Sequence, residues 1–296
     1  MGIGELFALV SALCWALAVI LFKHAGNSLT ANGLNLTKNV IGLSLLIPTA
    51  LLVEGLSLPA LTNQEWLVLI VSGYFGIAVA DTWYFQALRM LGAGRTAIVA
   101  SLYSPFVVLL SIVFLYETMV GWQWLGFVLV LMGVLIVTNQ KGDQITDKVQ
   151  LFKGMAFAAV SVFLTAASVV AMKPILSNDG FFWLVSLRML AGVVGMLIYL
   201  AAVKKLASIA RDLTDKKHKW LTIISASVFG TYLAISFWLA GFKYADASVA
   251  SVLNETSNVM IVLLAWLLLK EALTLTKIVG ALFTFVGVLI FMGLIG

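Results

Sequence analysis

The chain has 296 residues, 62% of them apolar and only 10% charged, against about 25% charged in a soluble domain. That composition excludes an ordinary water-soluble enzyme. The formal charge of +5 is scattered between apolar runs, densest from Lys204 to Lys219, which marks a loop beside anionic headgroups and gives no reason to expect a nucleic-acid partner.

Runs of about 20 apolar residues recur along the whole length, each able to cross a hydrocarbon core about 30 Å thick. They are continuous, not alternating, so they predict helices and not barrel strands. The fold class is therefore an all-α integral membrane protein. The first span is placed at 3–23. It holds the single cysteine, Cys14, which alone makes neither an intramolecular disulfide nor a metal site. No basic residue precedes the run and it ends at Phe22-Lys23-His24, so a retained helix is expected in place of a signal peptide. Leu6 stands where a myristoylation signal needs Ser or Thr. The remaining nine spans fall at 34–53, 65–87, 94–116, 121–139, 152–173, 181–202, 219–241, 248–269 and 275–295. The longest connections, 140–151 and 203–218, are polar and too short for a soluble domain. Pro48 and Pro105 lie inside spans, where neighbouring helices satisfy the freed backbone groups.

The chain repeats itself. At an offset of 150, Gly4 meets Gly154, Lys23 meets Lys173, Lys38 meets Arg188 and Gly42 meets Gly192. At an offset of 154, Trp66 meets Trp220, Gly76 meets Gly230, Arg89 meets Lys243, Ala93 meets Ala247 and Glu117 meets Glu271. Gly126 then meets Gly280, and Gly133-Val134-Leu135-Ile136 meets Gly287-Val288-Leu289-Ile290. The unit holds five helices, an odd number, so the second copy enters the membrane from the opposite side. Inverted repeats of this kind build transporters with a site near the midplane at the repeat interface, and that reading is favoured over a channel or an inert bundle. Lys and Arg concentrate in the odd-numbered loops (Arg89 and Arg95; Lys141, Lys148 and Lys153; Lys204 to Lys219; Lys270 and Lys277), with little beyond Lys173 and Lys243 opposite. The positive-inside rule then places both termini outside the cytoplasm.

Polar residues inside spans usually face a cavity or a partner. Span 9 carries Asn254-Glu255-Thr256-Ser257-Asn258, and helical spacing puts Ala247, Ser251, Glu255 and Asn258 on one small, polar face. Its repeat counterpart is Ala93, Ala97, Ser101 and Ser104, followed by Pro105. Glu255 therefore has no acidic twin, and a lone buried carboxyl suits binding of a proton or a substrate amine. Asp81 is one-sided too, with Ile235 at its twin position. Arg188 lies within span 7 and could pair with a carboxylate, whereas its twin Lys38 begins span 2. Lys23 and Lys173 end their spans, where they can snorkel. Trp15, Trp83, Tyr84, Tyr103, Tyr232 and Trp238 could line a cavity, although aromatics in apolar helices more often pack or anchor. The sequence holds no HExxH, no GxGxxG and no GxxxxGK[ST]. No catalytic residue, cofactor or metal is expected, and an intramembrane hydrolase on Asp81 and Glu255 lacks supporting motifs.

The stretches Ala87-Leu88-Arg89 with Ala93, Leu102-Tyr103-Ser104-Pro105, Glu117 and Gly126 to Gly133 carry a resemblance. So do Cys14-Trp15-Ala16 with Phe22-Lys23, Gly241-Phe242-Lys243-Tyr244 with Ala247, Glu271, Gly280 and Gly287. Across nearly its whole length the chain resembles the drug/metabolite transporter superfamily, specifically the EamA family with two tandem repeats, here 1–140 and 150–296. The resemblance implies a five-plus-five inverted arrangement and a cavity lined by helices 1, 3, 4, 6, 8 and 9. It also implies secondary transport, often export, of small metabolites such as amino acids or of toxic compounds. The setting is the plasma or inner membrane, with protons or another ion for coupling. Pairing with a second copy, passive facilitation and substrate identity stay open. Ser257-Asn258-Val259 replaces the Tyr-Ser-Pro of the first repeat, so the family proline is lost where Glu255 is gained. The resemblance implies cytoplasmic termini, against the charge count, which is preferred here.

Overall fold

A computed structural model describes residues 2–25, 29–91, 96, 99–138, 148–214, 218–269 and 274–294. Ala93, Arg95, Ala97, Lys141, Lys216, Lys217, Lys270 and Glu271, and the side chains of Lys23, Lys148 and Lys277, lie outside that description. The described residues contain helices and no strand. Seven helices of 20 to 29 residues are long and apolar enough to cross a membrane: Ile3–Phe22, Ala31–Glu54, Asn63–Leu91, Val149–Met172, Phe181–Ala202, Trp220–Tyr244 and Ala247–Leu268. Three shorter apolar helices, Tyr103–Phe114, Gly121–Ile136 and Ile278–Phe291, complete the ten expected spans. Their burial is inside-out relative to a soluble protein. Leu52, Leu67 and Leu221 stand exposed on the outside, while Lys38, Arg188 and Glu255 are buried, as a hydrocarbon solvent demands.

Helix starts have local causes. Thr30 accepts from the Gly33 N–H (3.1 Å) and starts span 2 at Ala31. Thr62 and Glu65 form a reciprocal capping box that starts span 3. Two other starts are capped from across the molecule. Glu54, ending span 2, accepts from the Phe182 and Trp183 N–H groups at the start of span 7 (2.9 and 3.0 Å). Glu117, beyond span 4, accepts from Ala247 N–H (2.7 Å) and Ser248 N–H (3.0 Å) at the start of span 9.

The two halves are related by a twofold, and paired contacts show it. Ser11 Oγ donates to Ala234 O at 2.9 Å, and its twin Ser161 Oγ donates to Ala80 O at 2.7 Å. Gly42 packs on Thr231, and its twin Gly192 packs on Ile77. Spans 3 and 8 each widen into a single π-helical stretch, Tyr74–Val79 and Val228–Leu233, at corresponding repeat positions. Gly4 at the start of span 1 touches Tyr244 at the end of span 8, whereas Gly154 near the start of span 6 touches Leu91 at the end of span 3. Spans 1 to 3 carry the chain from the Gly4 end of the bundle to the Leu91 end. Span 6 therefore starts at the face opposite to span 1, and the repeats are inverted.

Spans 5 and 10 pack through glycine. A Cβ on Gly133 would lie 2.6 Å from Gly280 O, and one on Gly126 would lie 2.7 Å from Gly287 O. A Cβ on Gly121 would meet nothing within 4 Å. Close backbone approach of this kind drives helix association in lipid. Gly133→Leu is expected to separate the pair and lower thermal stability in detergent by about 1–3 kcal/mol, with Gly121→Ala neutral or slightly stabilising. Equal melting temperatures for the two variants would contradict this packing.

Candidate functional site

The π stretches shape the centre of the molecule. Gly76 and Gly230 sit inside them, where a Cβ would press on Ser168 of span 6 and Ala18 of span 1 respectively. The wider turn frees the Ile77 carbonyl, which accepts from Asn35 Nδ2 at 3.0 Å. Between the halves lies a cavity of about 210 Å³. The first repeat contributes Ser11, Trp15, Lys38, Asp81, Tyr84 and Tyr103 to its wall. The second contributes Arg188, Ile235, Trp238, Asn254, Glu255 and Asn258, with Ser161 and Thr165 beside them.

Spans 4 and 9 are both interrupted at this depth. Span 4 turns at Ser101 and Leu102 before the helix Tyr103–Phe114, and span 9 turns at Glu255 before the helix Thr256–Leu269. The offset of 154 makes these the same position in the two repeats. The helix Tyr103–Phe114 has no side-chain cap of its own. Glu255 lines the cavity at the matching position of span 9. Asn258 Nδ2 donates to Glu255 Oε2 at 2.9 Å. Among the described residues no Lys or Arg forms an ion pair with Glu255.

Two cations face the same space. Lys38 Nζ lies 2.7 Å from Asp81 Oδ2 and donates to Asn39 Oδ1 at 3.1 Å. Asn39 donates on to Asn35 Oδ1 (2.7 Å), and Asn35 donates to Thr82 Oγ1 (3.1 Å). Arg188 is 2% exposed. It donates from Nη2 to Ser168 Oγ at 3.0 Å and stacks its guanidinium 5.7 Å from the Trp238 ring centre, while Nε has no partner. No group of His, Cys, Asp and Glu suited to a metal occurs among the described residues. A wider pocket of about 400 Å³ lies at the bundle end beside Glu5, Lys173, Lys243 and Asp246. Its lysines already serve backbone carbonyls: Lys173 donates to Phe242 O (3.1 Å) and Lys243 to Asn178 O (3.3 Å).

The structure gathers Glu255, Asn258, Asn254, Asp81, Tyr84, Tyr103, Trp15, Trp238 and Arg188 around the cavity. It sets five expected residues apart. Ser104 and Ser251 face each other at 3.4 Å in the contact between spans 4 and 9, and Ser101 is buried outside the cavity wall. Trp83 packs on Phe157 at 5.6 Å, and Tyr232 shares a hydrogen bond with Thr49 (2.8 Å). Lys38 is the main addition. Thr30 starts span 2 three residues earlier than hydropathy places it, which draws Lys38 from the helix end into the cavity. The neighbouring Asn35 and Asn39, on adjoining turns, were the signal.

A polar, charged cavity midway along two inverted five-helix halves, with broken helices at its wall, defines a membrane transporter of the inverted-repeat class. The chain belongs to the EamA-like transporter family, which matches residues 2–139 and 152–293. An uncharacterized transporter of Archaeoglobus fulgidus is 25% identical over 218 residues, 74% of each chain. One from Synechocystis sp. is 22% identical over 237 residues, 78% of this chain and 66% of the relative. A crystal structure with a TM-score of 0.79 covers 98% of this chain and 96% of its own at 16% identity, a likeness of fold. Multi-pass membrane transport of a small-molecule substrate is thus the function of the class.

Proposed function

We propose that the protein is a secondary transporter that exports a small, amino-acid-like metabolite across the cell membrane by alternating access around the central cavity. The observation that carries this reading is Glu255, a buried carboxyl at the turn in span 9 with no ion-pair partner among the described residues. The sequence has no ATP-binding motif, which leaves a gradient as the energy source. Mirrored contacts such as Ser11 with Ala234 and Ser161 with Ala80 supply two equivalent hinges. Exchanging slightly different packings between them would open the cavity to alternate sides. A proton and a substrate ammonium compete for one carboxylate, so protonation releases substrate and the exchange is antiport.

The test is a metabolite-exchange screen. Vesicles holding the purified protein are loaded with a metabolite extract, and efflux is followed with and without a pH gradient. Selective, gradient-accelerated efflux supports the proposal; unselective leakage or a chemically altered product contradicts it.

Sidedness follows from charge. The face holding Gly4, Glu54 and Glu117 also carries Glu65, Asp179 and Asp246, and the face holding Leu91 carries Arg89, Lys153, Lys204, Lys205 and Arg211. The basic face is assigned to the cytoplasm. In a Cys14→Ala background, Asp179→Cys should react with an impermeant maleimide on intact cells, and Ser208→Cys only after lysis. The reverse pattern would invert the assignment.

A further inference from the structure

The two repeats place a cation at the same point, Lys38 and Arg188, but an acid at only one of the two matching sites, Asp81 and Ile235. In the first repeat the pair is closed, with Lys38 Nζ 2.7 Å from Asp81 Oδ2. In the second, Ile235 and Arg188 both line the cavity, and Trp238, one turn beyond Ile235, lies against the guanidinium. Arg188 is 2% exposed, its Nε has no partner, and among the described residues no carboxylate forms an ion pair with it, Asp81 across the same cavity being closed on Lys38. A buried cation in that condition is costly unless an anion joins it, and a guanidinium fork matches a carboxylate in two parallel hydrogen bonds.

We propose that Arg188 is the anion subsite of the cavity: the carboxylate of the transported molecule occupies, in the second repeat, the place that Asp81 holds beside Lys38 in the first. This rests on the cavity being the transport site. It deepens that reading by assigning the two ends of the solute. The carboxylate goes to Arg188 and Nε, and a cationic end goes to Glu255 and Asn258 across the cavity. Ile235 is then a specificity residue, apolar so that the position stays vacant for the substrate.

The test supplies the missing acid. Ile235→Asp should pair with Arg188 and raise the melting temperature of the ligand-free, full-length protein in detergent by a few degrees. Ile235→Asn, the same shape without charge, should not. Paired probes then read the subsite: the free acids and the amides of L-alanine, L-leucine and L-phenylalanine. In the wild type at least one free acid should raise the melting temperature and its amide should not. Arg188→Gln should weaken that response by about tenfold or more, the worth of one lost charge-assisted contact, and Ile235→Asp should remove it. Arg188→Lys, which keeps the charge, should retain part of it. The proposal is overturned if Ile235→Asp destabilises as Ile235→Asn does, if no free acid has an effect, or if amides act as well as acids. A wild type that moves no metabolite in vesicles would instead defeat the transport reading, while selective flux untouched by Arg188→Gln would defeat this inference alone.

Discussion

Glu255→Gln is expected to leave the protein folded and to abolish the dependence of transport on a pH gradient. The amide keeps the shape, and Asn258, an amide that can present either end, is able to re-pair with it. What it loses is titration and negative charge. If the carboxylate holds a substrate ammonium, the lost charge-assisted bond of about 1.5–3 kcal/mol lowers affinity by about 10- to 100-fold. The sign of the pH effect follows from competition. Acidifying the loading side of the wild type protonates Glu255 and slows loading, and acidifying the release side speeds release. The variant should respond to neither. Fluorescence-detected gel filtration checks folding, and flux at two opposed pH gradients checks coupling. Unchanged rate and unchanged pH dependence in Glu255→Gln would make the carboxyl structural and pass the coupling role to Asp81.

The second large effect belongs to Lys38 and Asp81. Lys38 is 3% exposed at its side chain and its carboxylate partner lies 2.7 Å away. Asp81→Leu leaves that ammonium buried with only Asn39 Oδ1 as a described acceptor. Removing one member of a buried pair costs about 3–5 kcal/mol, and the lower end applies because Asp81 is 31% open to the cavity. The double variant Lys38→Met with Asp81→Leu removes both charges and should melt close to the wild type. A double variant as unstable as Asp81→Leu alone would show that the polar chain through Asn39 and Asn35, and not the ion pair, holds span 2 against span 3.

Much of this was legible in the residues, for physical reasons. Lipid demands long apolar helices, so the ten spans announce themselves. The repeat shows because glycines such as Gly42, Gly76, Gly126 and Gly133 sit where another helix leaves no room for a Cβ, and such positions retain their identity in both copies. Glu255, Asp81 and Arg188 stand out because charge inside a span is costly without a use. The hidden part depends on backbone geometry. The π stretches at Tyr74–Val79 and Val228–Leu233 have no composition of their own, yet they decide which side chains of spans 3 and 8 reach the cavity. Helical spacing alone makes the polar face of span 9 one continuous stripe. Ser251 faces Ser104 instead, while Asn254, Glu255 and Asn258 line the cavity. The thirty-first residue starts span 2 because of Thr30, a cap that hydropathy does not weigh, and Lys38 moved inward with it.

In the proposed mechanism this cavity opens alternately to the two sides of the membrane. Counterflow measures that directly. Purified protein in vesicles, preloaded with an excess of the metabolite identified by efflux, is given a labelled trace of the same compound outside. A carrier must return through the membrane with its site filled, so alternating access predicts saturable uptake of label that is accelerated by the internal pool and transiently concentrated above the outside level. Uptake that never saturates, ignores the internal pool and stops at equal concentration would identify a passive channel and rule out alternating access.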